Sequence, residues 1–171
     1  MLEMGMLVLL KSLGYRYSDG LHLMGHVGWQ INRFVTVGAG GGTMRIFASN
    51  KEYGLNLFPV YGHMEVNLTK WRFTPVFSFK SGYSFGKSVN INASGDGYSV
   101  NSDFSGNYFV NPSIGVRMNL FRLFSWQINA GWFFQKLSVE NRVTGVVPAT
   151  AENVYYRNGI HMLTVRTGFM F

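Results

Sequence analysis

Along most of this chain apolar and polar residues take alternate positions, as expected of strands whose two faces meet unlike surroundings. The last segment, residues 160–171, puts His161, Leu163, Val165, Thr167, Phe169 and Phe171 on one face. Ile160, Met162, Thr164, Arg166, Gly168 and Met170 fall on the other. The same alternation predicts seven further strands, at residues 2–12, 21–31, 34–46, 55–68, 72–85, 108–120 and 124–137. The seventh is the most regular: Phe124, Trp126, Ile128, Ala130, Trp132 and Phe134 oppose Ser125, Gln127, Asn129, Gly131 and Gln135. Pro75 is a local exception, since proline cannot donate to a ladder.

The predicted connections are unequal. Asn32-Arg33, Thr69-Lys70 and Phe121-Arg122 make tight turns. Ser18-Asp19-Gly20 is a turn signal between the first two strands, and a short loop runs through residues 49–52. Residues 86–106, rich in Ser, Asn, Gly and Asp, read as a long polar loop, and residues 138–158 as a second long loop. Short connections at one end and long ones at the other are what outer-membrane barrels show, and an even strand count puts both termini on the short-turn, periplasmic side with the long loops extracellular. The prediction is one domain over residues 1–171, an all-β, eight-stranded antiparallel up-and-down transmembrane β-barrel.

Size decides which face points outward. A soluble eight-stranded barrel would turn its apolar face inward. Here nearly every apolar face carries Phe, Trp, Tyr, Ile, Leu or Met, too much volume for so narrow a lumen. The opposite faces carry Gly38, Gly40, Gly42, Gly82, Gly115, Gly131 and Gly168, which suit a crowded interior. Composition agrees. Charged residues make up 13% of the 171, half the usual share, while aromatics reach 16%. No apolar run approaches the roughly 20 residues of a membrane helix. Two aromatic girdles are expected, Trp29, Phe73 and Trp126 near the turns and Tyr83, Tyr108 and Trp132 near the loops. The start of the chain reads as a first strand and not a signal peptide, which implies a mature or truncated form.

Three stretches carry a family resemblance: Gly28-Trp29-Gln30-Ile31-Asn32 with Val37-Gly38-Ala39-Gly40-Gly41-Gly42; Asn111-Pro112-Ser113-Ile114-Gly115-Val116-Arg117; and Val165-Arg166-Thr167-Gly168-Phe169-Met170-Phe171. The pattern resembles the small outer-membrane β-barrel proteins of Bacteroidota, of the OmpA/OmpX and OmpW architecture. The resemblance implies a bacterial outer-membrane location and an ending, Phe169 and Phe171, that is read by the barrel-assembly machinery during insertion. It implies no single activity. Where relatives carry an Asp-x-Arg pair, this chain has His63-Met64-Glu65.

Charge and chemistry narrow the function. The net charge is +7, but the basic residues are scattered, so nucleic acid is not an expected partner. Contact with outer-membrane lipids and lipopolysaccharide phosphates suits it better. There is no cysteine. His22 and His26, four residues apart on a strand, lie too far apart to chelate one metal, and no metal or cofactor is expected. Gly38 to Gly42 has no Lys-Ser/Thr partner and opens no helix, so it is no phosphate loop. No His-x-Ser spacing supports a catalytic role for His161, and no catalytic residue is assigned.

Inside the lumen, buried charges must be paired. Glu65 and Arg117 stand at similar heights two strands apart and are expected to pair across the fifth strand, with Arg166 or Lys80 nearby. Such a network fills a narrow lumen more readily than it filters ions. The leading expectation is therefore a non-enzymatic structural or accessory subunit of a larger outer-membrane protein complex. A narrow channel for small or apolar solutes is the alternative, and a lipid-modifying enzyme the second.

Overall fold

The structure, a computed structural model, describes residues 1–12, 17–48, 54–69, 71–86, 93–95, 98–121, 124–145 and 154–170. The described residues form nine strands: β1 (Leu2–Ser12), β2 (Tyr17–Gln30), β3 (Val35–Ala48), β4 (Gly54–Asn67), β5 (Phe73–Gly86), β6 (Ala93–Gly95), β7 (Tyr98–Phe121), β8 (Phe124–Gly145) and β9 (Val154–Met170). Every pairing is antiparallel, and consecutive strands are neighbours except around β6. Two further ladders close the ring. β5 pairs with β7 from Phe73↔Met118 to Tyr83↔Tyr108, and β1 pairs with β9 from Leu2↔Phe169 to Ser12↔Ile160. Eight strands thus form the closed barrel, while β6 lies beside the upper part of β7.

Side-chain alternation sets the register throughout. Leu21, Leu23, Val27 and Trp29 on β2 are exposed, whereas His22, Met24 and His26 are buried. A slip of one residue would reverse the faces, so this contrast pins each ladder. The outer wall is apolar around the ring, with Met4, Val27, Val60, Phe77, Ile114, Ile128 and Val165 all exposed. Pro75 is accommodated within β5, and its carbonyl accepts from Leu68 N at 2.9 Å.

Glycine lets the ring curve inward on itself. A Cβ at Gly42 would collide with the backbone carbonyl of Leu23 on the neighbouring strand. A Cβ at Gly5 would lie 2.7 Å from both Arg166 Cγ and the His22 ring, so the missing side chain is the space these two occupy.

The short turns are tied by side chains. Asn32 Oδ1 accepts from Phe34 N at 2.8 Å and Val35 N at 2.9 Å, closing the β2–β3 turn. Thr74 Oγ1 donates to the Trp71 carbonyl at 2.8 Å in the β4–β5 turn.

Three sequence expectations need correction. Residues 98–106 and 138–145 are not loop: they pair with each other as the upper part of β7 and β8, from Tyr98↔Gly145 to Gly106↔Leu137. Residues 154–158, also expected in a loop, pair with β8 as the start of β9. Ser18-Asp19-Gly20 is not a turn but lies in β2, where the register with β3 shifts between Tyr17 and Gly20, as at a bulge. The expected loop at residues 49–52 and the positions of Lys70, Arg122 and Phe171 lie outside the described residues.

Candidate functional site: the barrel interior

Inward-facing positions near the short turns are polar. Arg117 on β7 and Glu65 on β4 form an ion pair across β5. Arg117 Nη1 also donates to Asn67 Oδ1 at 3.0 Å, and its Nε and Nη2 donate to Gln127 Oε1 at 3.0 and 2.7 Å. Gln127 Nε2 in turn donates to Glu65 Oε2 at 3.2 Å and Asn129 Oδ1 at 3.0 Å. Both Gln127 oxygen and nitrogen are therefore committed to holding the pair. This geometry follows from register alone: Glu65 faces Ser78, Thr74 faces Arg117, and Arg117 faces Gln127.

One layer further in, Arg166 on β9 crosses the lumen. Its Nη2 donates to Ser113 and, at 3.5 Å, to Ser78 Oγ, while those two hydroxyls are 2.6 Å apart. Arg166 thus stays near the Glu65–Arg117 pair without joining it. Lys80 is fully buried, with Nζ 5.3 Å from the centroid of the Tyr61 ring. The Tyr61 hydroxyl donates to the Gly25 carbonyl at 3.3 Å. His26 and His63, on β2 and β4, approach to 4.1 Å between ring centroids, a contact hidden in the sequence by the strand between them.

Above Tyr61 the interior changes character. Tyr61, Phe109 and Phe133 form an aromatic layer, with centroid separations of 6.1 and 5.5 Å. Beyond it lie Leu7, Met44, Ile46, Leu55, Leu57, Leu137, Ile160 and Met162, all buried in one cluster with Met24. Two polar side chains enter it: Ser84 donates to Gln135 Oε1 at 2.8 Å, and Gln135 Nε2 donates to the Asn107 and Lys136 carbonyls at 2.9 and 2.7 Å. Three of the cluster's members are methionines, whose unbranched side chains repack readily.

A cavity of about 300 Å³ opens below the Glu65–Arg117 pair, at the turn end. Gln30, Asn67, Thr74, Arg117 and Asn119 line it from the strands and their ends, Arg33 and Thr69 from the turns. The sequence reading missed it, because its lining comes from three separate turn regions.

The expected aromatic positions face outward. Trp29 and Phe73 are exposed near the turns, joined by Trp71, which is 75% exposed and was not among the expected girdle residues. Trp126 is half-buried and donates through Nε1 to Thr167 Oγ1 at 2.6 Å. Tyr83, Tyr108 and Trp132 are exposed towards the other end. Phe169 stacks on Phe124 at 5.5 Å. His161 packs on the outer wall between Trp132 and Phe134, at 5.5 and 5.0 Å.

No protein-family model matches this sequence, and no curated protein matches it. Among solved structures, the chain is similar to the solid-state NMR structure of outer membrane protein AlkL in DMPC lipid bilayers, with a TM-score of 0.59 at 10% identity. The match covers 99% of this chain and 88% of that one. At this identity the likeness speaks to fold, and it agrees with the closed, all-antiparallel barrel described above.

Proposed function

We propose that this protein is an integral outer-membrane barrel that admits small apolar molecules from its loop end and passes them into the membrane. The observation that carries the reading is the division of the interior: an adaptable apolar half stacked on a hydrogen-bonded polar half. Water and ions would have to cross the Glu65–Arg117–Gln127 layer, whereas an apolar molecule meets compatible surface until the Tyr61–Phe109–Phe133 layer. The apolar outer wall supports a membrane setting, since exposed apolar area of this extent is foreign to a soluble monomer. Closure of the ring satisfies strand edges as hydrocarbon demands.

A way out is also present. The β1–β2 ladder runs from Leu2↔Gly25 to Leu7↔Gly20 and stops. Beyond it β1 continues to Ser12 paired with β9, and β2 reaches back to Tyr17 paired with β3, with no ladder between the two among the described residues. This seam lies beside Leu7, in the apolar half. A molecule held there has less backbone to part at this seam than elsewhere in the ring.

The test is reconstitution into vesicles. Uptake of an apolar fluorescent probe into the bilayer should be accelerated, while planar-bilayer recordings should show no sustained ion conductance. A steady aqueous conductance without probe uptake would overturn the reading. No reaction is assigned, and the mass profile of lipid A should be the same with and without the protein. A second reading, as accessory subunit of a larger outer-membrane complex, draws on the tall β7–β8 wall standing above its neighbours. Co-purification from mild detergent tests it.

A further inference from the structure

The turn-end cavity has no part in the uptake of apolar molecules. Its described lining is polar throughout, carries two guanidinium groups and includes no carboxylate, since Glu65 lies behind Arg117. Arg117 is fixed by Glu65, Gln127 and Asn67, so its Nη1 is presented in one orientation with a proton to spare. Arg33 is exposed at the rim, its guanidinium carbon 5.2 Å from the Phe34 ring centroid. Thr69 Oγ1 is buried and has no hydrogen-bond partner among the described residues. An unpaired buried hydroxyl costs free energy that a ligand can return.

The surrounding charge has one sign. The described turn residues beside it, 31–34, 68–69 and 71–72, carry Arg33 and Arg72 and no Asp or Glu. Cations around a concave, low-dielectric mouth focus potential into it and raise the local concentration of anions.

We propose that this cup binds a phosphate-type oxyanion, gripped by Arg33 and the free Nη1–H of Arg117 with the Thr69 hydroxyl as a further donor. Its volume is at the small end of ligand pockets, enough for a phosphate group and a short polar substituent. The phosphate can belong to a soluble phosphomonoester or to a phospholipid headgroup reaching over the rim past Trp29 and Trp71. The proposal is independent of the uptake reading, because it concerns a cavity on the opposite side of the polar layer.

Phosphorus-31 NMR of the full chain in maltoside micelles, which carry no phosphate, separates the possibilities at fixed sodium chloride. Inorganic phosphate, glycerol 3-phosphate and short-chain phosphatidylglycerol are titrated in turn. Saturable binding of the first two identifies a soluble ligand, and binding of the third alone identifies a headgroup; both sustain the proposal. Arg33→Gln should weaken binding roughly tenfold and Thr69→Val roughly threefold, with Arg33→Lys retaining most of the affinity. Both positions lie in turns, and the ladder register of each variant is checked by its amide spectrum. Absence of saturable binding to all three probes, or binding indifferent to both Arg33→Gln and Thr69→Val, would overturn it.

Discussion

The two halves of the barrel interior hang from the same strands yet keep their shape by opposite means. In the turn-side half, Glu65, Arg117, Gln127, Asn67 and Asn129 form directional bonds with little freedom to rearrange. In the loop-side half, Leu57, Phe109, Ile160 and the three methionines pack without direction. Hydrogen-bonded networks specify one arrangement and fail sharply when one member is lost. Apolar clusters tolerate substitution of similar volume and lose stability gradually. The barrel thus joins a stiff floor to a yielding chamber.

That contrast can be broken most directly at its floor. Arg117→Met leaves the Glu65 carboxylate buried without its counter-charge and should cost about 3–5 kcal/mol in urea unfolding from lipid vesicles. Replacing both partners, Glu65→Leu with Arg117→Met, should recover most of that loss. If the double variant is as unstable as the single one, the floor is not held by the pair.

In the chamber, Phe109→Ala should cost about 3 kcal/mol by the same assay and speed probe uptake, since the aromatic layer then has a gap. Slower uptake would mean that the layer guides molecules rather than stops them. Gly5→Val tests the space between floor and chamber. Its side chain must displace Arg166 and His22, with an expected cost of about 1–3 kcal/mol. The smallest stability effect belongs to the triple change Met24→Leu, Met44→Leu and Met162→Leu, under about 1.5 kcal/mol per site. Probe uptake should nevertheless fall several-fold, because the filling becomes stiffer at nearly constant volume. Unchanged uptake would separate chamber softness from transport.

The barrel and its floor were legible in the sequence because both rest on parity. Once alternation assigns His63, Glu65 and Asn67 to one face, counting about three residues from the turn-side ends of the two strands places Glu65 level with Arg117. Parity fails where no hydrocarbon enforces it. Residues 98–106, with three Ser, an Asn and an Asp, and residues 138–145 read as loops, yet they pair as strands because each finds backbone partners in the other. Their pairing is a property of two segments together and is invisible in either one. The same holds for the contact between His26 and His63 and for the turn-end cup. Each joins residues whose sequence neighbours give no sign of the meeting. Ser18-Asp19-Gly20 misled for a local reason: turn-forming residues also serve at bulges.

The junction of β1 with β9 carries a consequence for how the molecule forms. Most ladders join neighbours in sequence, and hairpins of that kind assemble within microseconds once their residues are present. The seam from Leu2↔Phe169 to Ser12↔Ile160 joins strands separated by nearly all the described residues. The entropy of such a long closure grows slowly, by about 0.6 kcal/mol per doubling of length, so distance is a modest barrier. Order of arrival is the larger one. Once paired with β2, β1 must stand with its other flank unsatisfied until β9 has docked, and an open flank invites pairing with other chains. The forming barrel therefore has a vulnerable interval that ends only when β9 docks on β1, and a companion that shields β1 during that interval would matter more to yield than any gain in final stability.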